Sequence, residues 1–164
     1  MSLFSFIKAA GSAIFGGKNE EEEAAAKKAA AEAAELAEEA AMARRLEETI
    51  RDLSLEVKDL SVLVDDDRVT VSGMAYDQST KEKVVLVLGN SAGIASVEDL
   101  MTVEHTEPEA QFHTVESGDT LSKIAKHYYG DAMKYNAIFT ANQPMLKDPN
   151  LIYPGQVLRI PNLD

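Results

Sequence analysis

Residues 84–97, VVLVLGNSAGIASV, decide how the middle of this chain is read. The run has the pattern of the last turns of an apolar helix, a glycine-flanked turn and the start of a strand. Val84, Val87 and Leu88 fall on one helical face, which predicts burial against a sheet. Gly89 stands where a helix C-terminus favours a residue free to take positive φ. The last carbonyls of such a helix lack intrahelical partners and carry the negative end of the helix dipole. From Gly89 to Ile94 the turn adds further carbonyls, and no carboxylate follows until Glu98. Neutral carbonyl oxygens grouped in this way suit a weakly hydrated monovalent cation better than a metal that demands carboxylates or thiolates. The plainer reading is an αβ connection with a glycine cap.

Upstream of this run, Leu60, Val62 and Val64 alternate with Ser61 and Leu63, and Asp65-Asp66-Asp67 makes a polar turn. Val69, Val71 and Gly73 then alternate with Thr70 and Ser72, which completes a hairpin. Asp77 or Ser79 can cap the helix that runs to Leu88. Downstream, Val97, Met101 and Val103 supply a third strand. Met42, Leu46, Ile50 and Leu53 mark one face of a preceding helix, so residues 42–104 read as αββαβ with the helices on one sheet face. The three consecutive aspartates lack the spaced ligands, the glycine and the terminal glutamate of a calcium loop, and read as a solvated turn.

Residues 1–17 form an apolar segment in which Phe6, Ala10 and Ile14 share a helical face, stopped by Gly16-Gly17. Only Lys8 interrupts it and four glutamates follow, so it reads neither as a secretory signal nor as a basic membrane-surface helix. The expectation is a cytoplasmic protein whose first segment folds back onto the next domain, bringing the carbonyls around Ile7–Gly11 toward Gly89–Ile94. Residues 18–41 are rich in Ala, Glu and Lys, with Leu36 the only large apolar side chain between Glu20 and Ala41. That composition predicts a solvated helix or a frayed linker.

Residues 105–111, HTEPEAQ, make a polar hinge. In residues 112–164 a strand at Phe112–Val115 precedes Ser117-Gly118-Asp119-Thr120, where Asp119 or Thr120 can cap a helix burying Leu121, Ile124 and Ala125. Gly130 ends that helix, a second carries Tyr135, Ile138 and Phe139, and Val157, Leu158 and Ile160 form a closing strand. The order is βααβ.

The net charge of −12, from 28 acidic and 16 basic side chains, argues against a nucleic-acid partner. Residues 112–164 are balanced, so the acidic excess lies upstream. The absence of cysteine excludes disulfides, zinc thiolate sites and cysteine nucleophiles. No apolar run approaches the ~20 residues of a membrane span. His105, His113 and His127 lie at no metal-ligand spacing. Glu116 and Asp119 are loop acids without the paired environment that glycoside hydrolysis requires. A non-enzymatic, monomeric protein is expected.

The VTVSG strand and LVLGNSAGIASVED place residues 42–104 in resemblance to BON domains. SGDTLSKIA and IYPGQVLRIP give residues 112–164 a strong resemblance to LysM modules. The two in this order, preceded by SLFSFIKAAG, resemble the small bacterial cytoplasmic potassium-binding proteins, from which the Ala/Glu-rich stretch 18–41 departs in length. The implied fold is α+β: an N-terminal helical segment, a BON domain and a LysM domain. The implied site holds K⁺, and by extension Rb⁺ or Cs⁺, rather than Na⁺, on backbone carbonyls. The matching positions are Ile7, Lys8 and Ala10 with Gly89, Ser91 and Ile94. Ser91 stands where an apolar residue is usual, which a carbonyl ligand tolerates. Binding would compact the protein, as a sensor or buffer of K⁺. LysM resemblance also implies an N-acetylglucosamine-type glycan groove at Gly118, Asp119, Thr120, Leu121, Leu151 and Ile152. The corresponding rival reading is a glycan-binding protein of the cell envelope.

Overall fold

A computed structural model describes residues 20–163. Helix α1, Glu20–Asp52, opens on four glutamates that oppose the positive end of its dipole. The chain divides into two compact units, with the boundary at Glu38/Glu39. In the first, residues 20–38 are helical and exposed throughout, including Leu36, because Ala and Glu give this length no apolar face to bury.

The second unit holds everything from Glu39 on. Leu46 and Ile50 of α1 are buried in its first core, with Met42 and Leu53 packed at the edge. Strands β1 (Val57–Asp65) and β2 (Arg68–Asp77) form the antiparallel hairpin, turning at Asp66 and Asp67. Asp66 has φ 53°, a left-handed value that Asp tolerates better than most residues, and its N–H donates to Glu39. Helix α2 (Gln78–Gly89) follows, with Asp77 as its N-cap accepting from the Thr80 N–H at 2.7 Å. Burial would raise the Asp77 pKa, but the hydrogen bonds from Thr80 together with the Lys83 and Arg159 charges outweigh it and hold the carboxyl below its usual range.

The expected third strand is two short ones, β3 (Ser96–Asp99) and β4 (Thr102–His105), both parallel to β2. The break comes at Leu100-Met101, where the Met101 N–H donates to the Asp99 side chain and Met101 drops into the core while Leu100 points out. Val62, Val69, Val71, Val84, Val87 and Leu88 fill the space between the sheet and the two helices.

The remainder is β5 (Gln111–Thr114), α3 (Leu121–Tyr129), a 3₁₀ turn at Ala132–Lys134, α4 (Tyr135–Ala141) and β6 (Val157–Ile160). Strands β5 and β6 pair antiparallel over a second core containing Leu121, Ile124, Ile138 and Leu158. Thr120, not Asp119, caps α3, and Gly130 ends it with φ 72°. The described residues are mixed α+β. The hinge residues are pinned: the Ala110 N–H donates to Glu82 and the Glu109 carbonyl accepts from Asn162.

Candidate functional site

The turn after α2 differs from its reading in sequence. Gly89 is the last helical residue and Asn90 caps the helix with φ −88°, so the positive φ falls at Gly93, at 86°. The Asn90 N–H donates to Leu86 O at 2.9 Å in the ordinary helical spacing, and the helix tightens only beyond it, where the Ser91 N–H donates to Leu88 O at 3.1 Å. Reversal of the chain is thereby postponed to Gly93. A Cβ at Gly93 would lie 3.8 Å from the Met42 methyl, so glycine is needed there for φ and not for space.

The carbonyls of this turn divide into engaged and free. Ser91 O accepts from the Ile94 N–H at 3.2 Å, and the Ser91 hydroxyl donates back to Val87 O at 2.6 Å. The Ala95 and Ser96 N–H groups both go to Asp67 O across the sheet. Among the described residues, no hydrogen bond ends on the carbonyl oxygen of Gly89, Asn90 or Ile94. Among the described residues, two of the three turn positions singled out in the sequence thus present unengaged oxygens: Gly89 at the helix C-terminus and Ile94 just past the reversal at Gly93. The third, Ser91, keeps one lone pair beyond its single hydrogen bond. Ile7, Lys8 and Ala10 lie outside the described residues.

Asn90 supplies a feature that sequence reasoning missed. Its side-chain amide donates to Val157 O at 3.0 Å and accepts from the Val157 N–H at 2.9 Å. Asn142 treats Arg159, two residues along β6, in the same way at 2.8 Å in each direction. The open edge of the two-stranded sheet is therefore closed by two asparagine amides, each standing in for a neighbouring strand. One caps the C-terminus of the module's own helix α4 and the other comes from the glycine turn. The residue type was visible, since Asn side chains favour backbone pairing, but the partner sits 67 positions away.

Beside the turn lies a cleft of about 430 Å³, lined by Leu53, Leu86, Asn90, Met145, Leu151 and Tyr153 among others. A second cleft of about 400 Å³ gathers Asp119, Thr120, Leu121 and Ile152 with Tyr135 and Asn150. Four of the six residues expected to form a glycan groove therefore converge. Gly118 and Leu151 do not line it, and Leu151 lines the first cleft instead. Asp119 is occupied internally: its Oδ2 accepts from the Glu116 N–H at 2.9 Å and meets His113 Nε2 at 2.9 Å. These bonds, the backbone one first, hold its carboxyl below the usual range. Tyr128 contacts the other ring nitrogen of His113, at 3.1 Å.

No described helix is long and apolar enough to cross a membrane. The LysM domain family matches residues 113–161. An esterase of Mycobacterium tuberculosis is 45% identical over 53 residues, which is 32% of this chain and 11% of that protein. An uncharacterized protein of Deinococcus radiodurans is 57% identical over 49 residues, 30% of this chain and 19% of its own. Likenesses of that extent carry a module and not an activity. The Escherichia coli O6:H1 protein named potassium binding protein Kbp is different in kind: it is 38% identical over 162 residues, covering 98% of this chain and 99% of its own length. On that end-to-end identity, the chain belongs to the Kbp family, with a LysM domain in its C-terminal part.

Proposed function

We propose that this protein binds K⁺ on backbone carbonyls of the Gly89–Ile94 turn and of the segment holding Ile7, Lys8 and Ala10. Residues 42–104 act in this reading as a BON domain, and the protein serves as a non-catalytic sensor or buffer of K⁺ in the cytoplasm. The observation that carries it is the end-to-end identity to a relative named for potassium binding. The turn fits that ligand, because Gly89 and Ile94 offer neutral oxygens with no hydrogen bond among the described residues. A helix C-terminus adds favourable negative potential there. Binding selects a compact state from a looser one, with leverage equal to the difference in affinity between the two.

Thermal unfolding in KCl, RbCl, CsCl, NaCl and choline chloride at equal ionic strength tests this. An ion bound only by the folded state stabilises it by about 2.7 kcal/mol at a hundredfold excess over Kd. A rise in K⁺ and the larger ions, absent in Na⁺ and choline, is expected. Identical curves in all five salts would refute the ion reading. Small-angle scattering in the same salts reads the compaction.

The second cleft favours a further reading, in which the LysM domain retains affinity for N-acetylglucosamine oligomers at Asp119, Thr120, Leu121 and Ile152. Titration with chitin oligomers, followed by chemical shifts of these residues, decides that case.

A further inference from the structure

We infer that Asn90 is the residue through which ion binding at the turn and seating of the LysM module are coupled. The inference rests on the reading of Gly89–Ile94 as the ion site and adds a positioning residue to it. Asn90 lies between Gly89 and Ser91, so its own backbone cannot shift without moving the carbonyls on either side. Its side chain holds both backbone groups of Val157 in β6. A turn that reorients its carbonyls around a cation therefore re-aims the amide that closes the edge of the LysM sheet. Conversely, a seated β6 holds the turn in one arrangement before the ion arrives.

The same strand carries an internal control. Arg159 is held by Asn142 with the same amide geometry, but Asn142 belongs to the module itself and also donates to Ile138 O of its own helix. A general gain in stability would protect the Val157 and Arg159 amides alike. Coupling through Asn90 protects Val157 preferentially. Linkage then requires that loss of the Asn90 amide weaken K⁺ binding by the factor by which K⁺ strengthens the clamp.

The experiment is residue-resolved amide exchange of the full chain by NMR in NaCl and in KCl, with K⁺ affinity measured for the wild type and for Asn90→Ala and Asn142→Ala. The expected result is a slowing of Val157 exchange in K⁺ at least about fivefold greater than that of Arg159, the low end of ordinary coupling. Asn90→Ala should lose K⁺ affinity by a similar factor, and Asn142→Ala should bind K⁺ as the wild type does while losing stability. If K⁺ stabilises the protein but Val157 and Arg159 slow equally, or Asn90→Ala binds K⁺ like the wild type, the coupling is overturned and the ion site stands. If K⁺ leaves stability unchanged, the ion reading itself fails. Should Asn90→Ala not fold, the wild-type exchange ratio decides alone.

Discussion

Glu82 of α2 and Arg159 of β6 form an ion pair whose side chains are only 5% and 11% exposed. The same carboxylate accepts from Gln78 Nε2 and from the Ala110 N–H, each at 2.9 Å. One helix, the hinge and the closing strand thus meet at a single buried group. With the Asn90–Val157 clamp at the other end of α2, this pair sets how β6 lies against the helix.

Removing one partner leaves the other charge buried. Glu82→Ala should lower unfolding free energy by about 3–5 kcal/mol, whereas Glu82→Leu with Arg159→Met should recover most of the loss. Urea denaturation of the two variants measures both. Equal losses in both would mean that the remaining hydrogen bonds of Glu82, and not the ion pair, hold the contact.

The two glycines of the turn should respond in opposite ways. Gly89 is helical and its added Cβ would sit at an ordinary 3.6 Å from Val97, so Gly89→Ala should be neutral or stabilise by up to about 1 kcal/mol. Gly93→Ala should cost about 1–2 kcal/mol from its left-handed φ and diminish the K⁺-dependent rise in Tm. Paired melts with and without K⁺ test both.

Gly73 is more demanding still. It has φ 134°, and a Cβ would fall 2.7 Å from Val57 Cγ1 and 2.8 Å from Lys58 O, beside the bulge where β1 shifts register. Gly73→Ala should cost about 3 kcal/mol or more by overpacking and backbone strain together. A variant melting within a degree of the wild type would show that the bulge relaxes freely.

Acid should weaken the LysM domain through Asp119. Its folded pKa lies below the unfolded value, so its contribution is complete above the unfolded carboxylate pKa of about 3.9 and fades as pH falls through the lower folded value. Stability measured from pH 6 to pH 2 should fall less steeply in Asp119→Asn than in the wild type. Parallel slopes would place the acid sensitivity elsewhere.

Much of the architecture follows from local pattern. Alternation at Leu60–Val64 and Val69–Gly73 specifies a hairpin because strand side chains repeat every two residues. The spacing of Met42, Leu46 and Ile50 specifies the buried face of α1 for the helical counterpart of that reason. The break at Leu100-Met101 was not legible, because Met101 is turned inward by a hydrogen bond to Asp99 that no periodicity encodes. The glycine turn is legible in the sequence, yet the left-handed residue within it is Gly93 and not Gly89. Where a helix stops depends on what its last carbonyls and the next strand meet in space.

By itself the sequence determined the α+β class, the βααβ module at the C-terminal end and the run of carbonyls after α2, since each depends on residues close together in the chain. Only the tertiary structure decided that Leu151 leaves the groove expected for it, that Asn90 closes the edge of β6, and that Glu82 is neutralised by Arg159. Such pairings join residues tens of positions apart. Their free energy comes from the burial and mutual satisfaction of polar groups, which exist only once the two cores have packed.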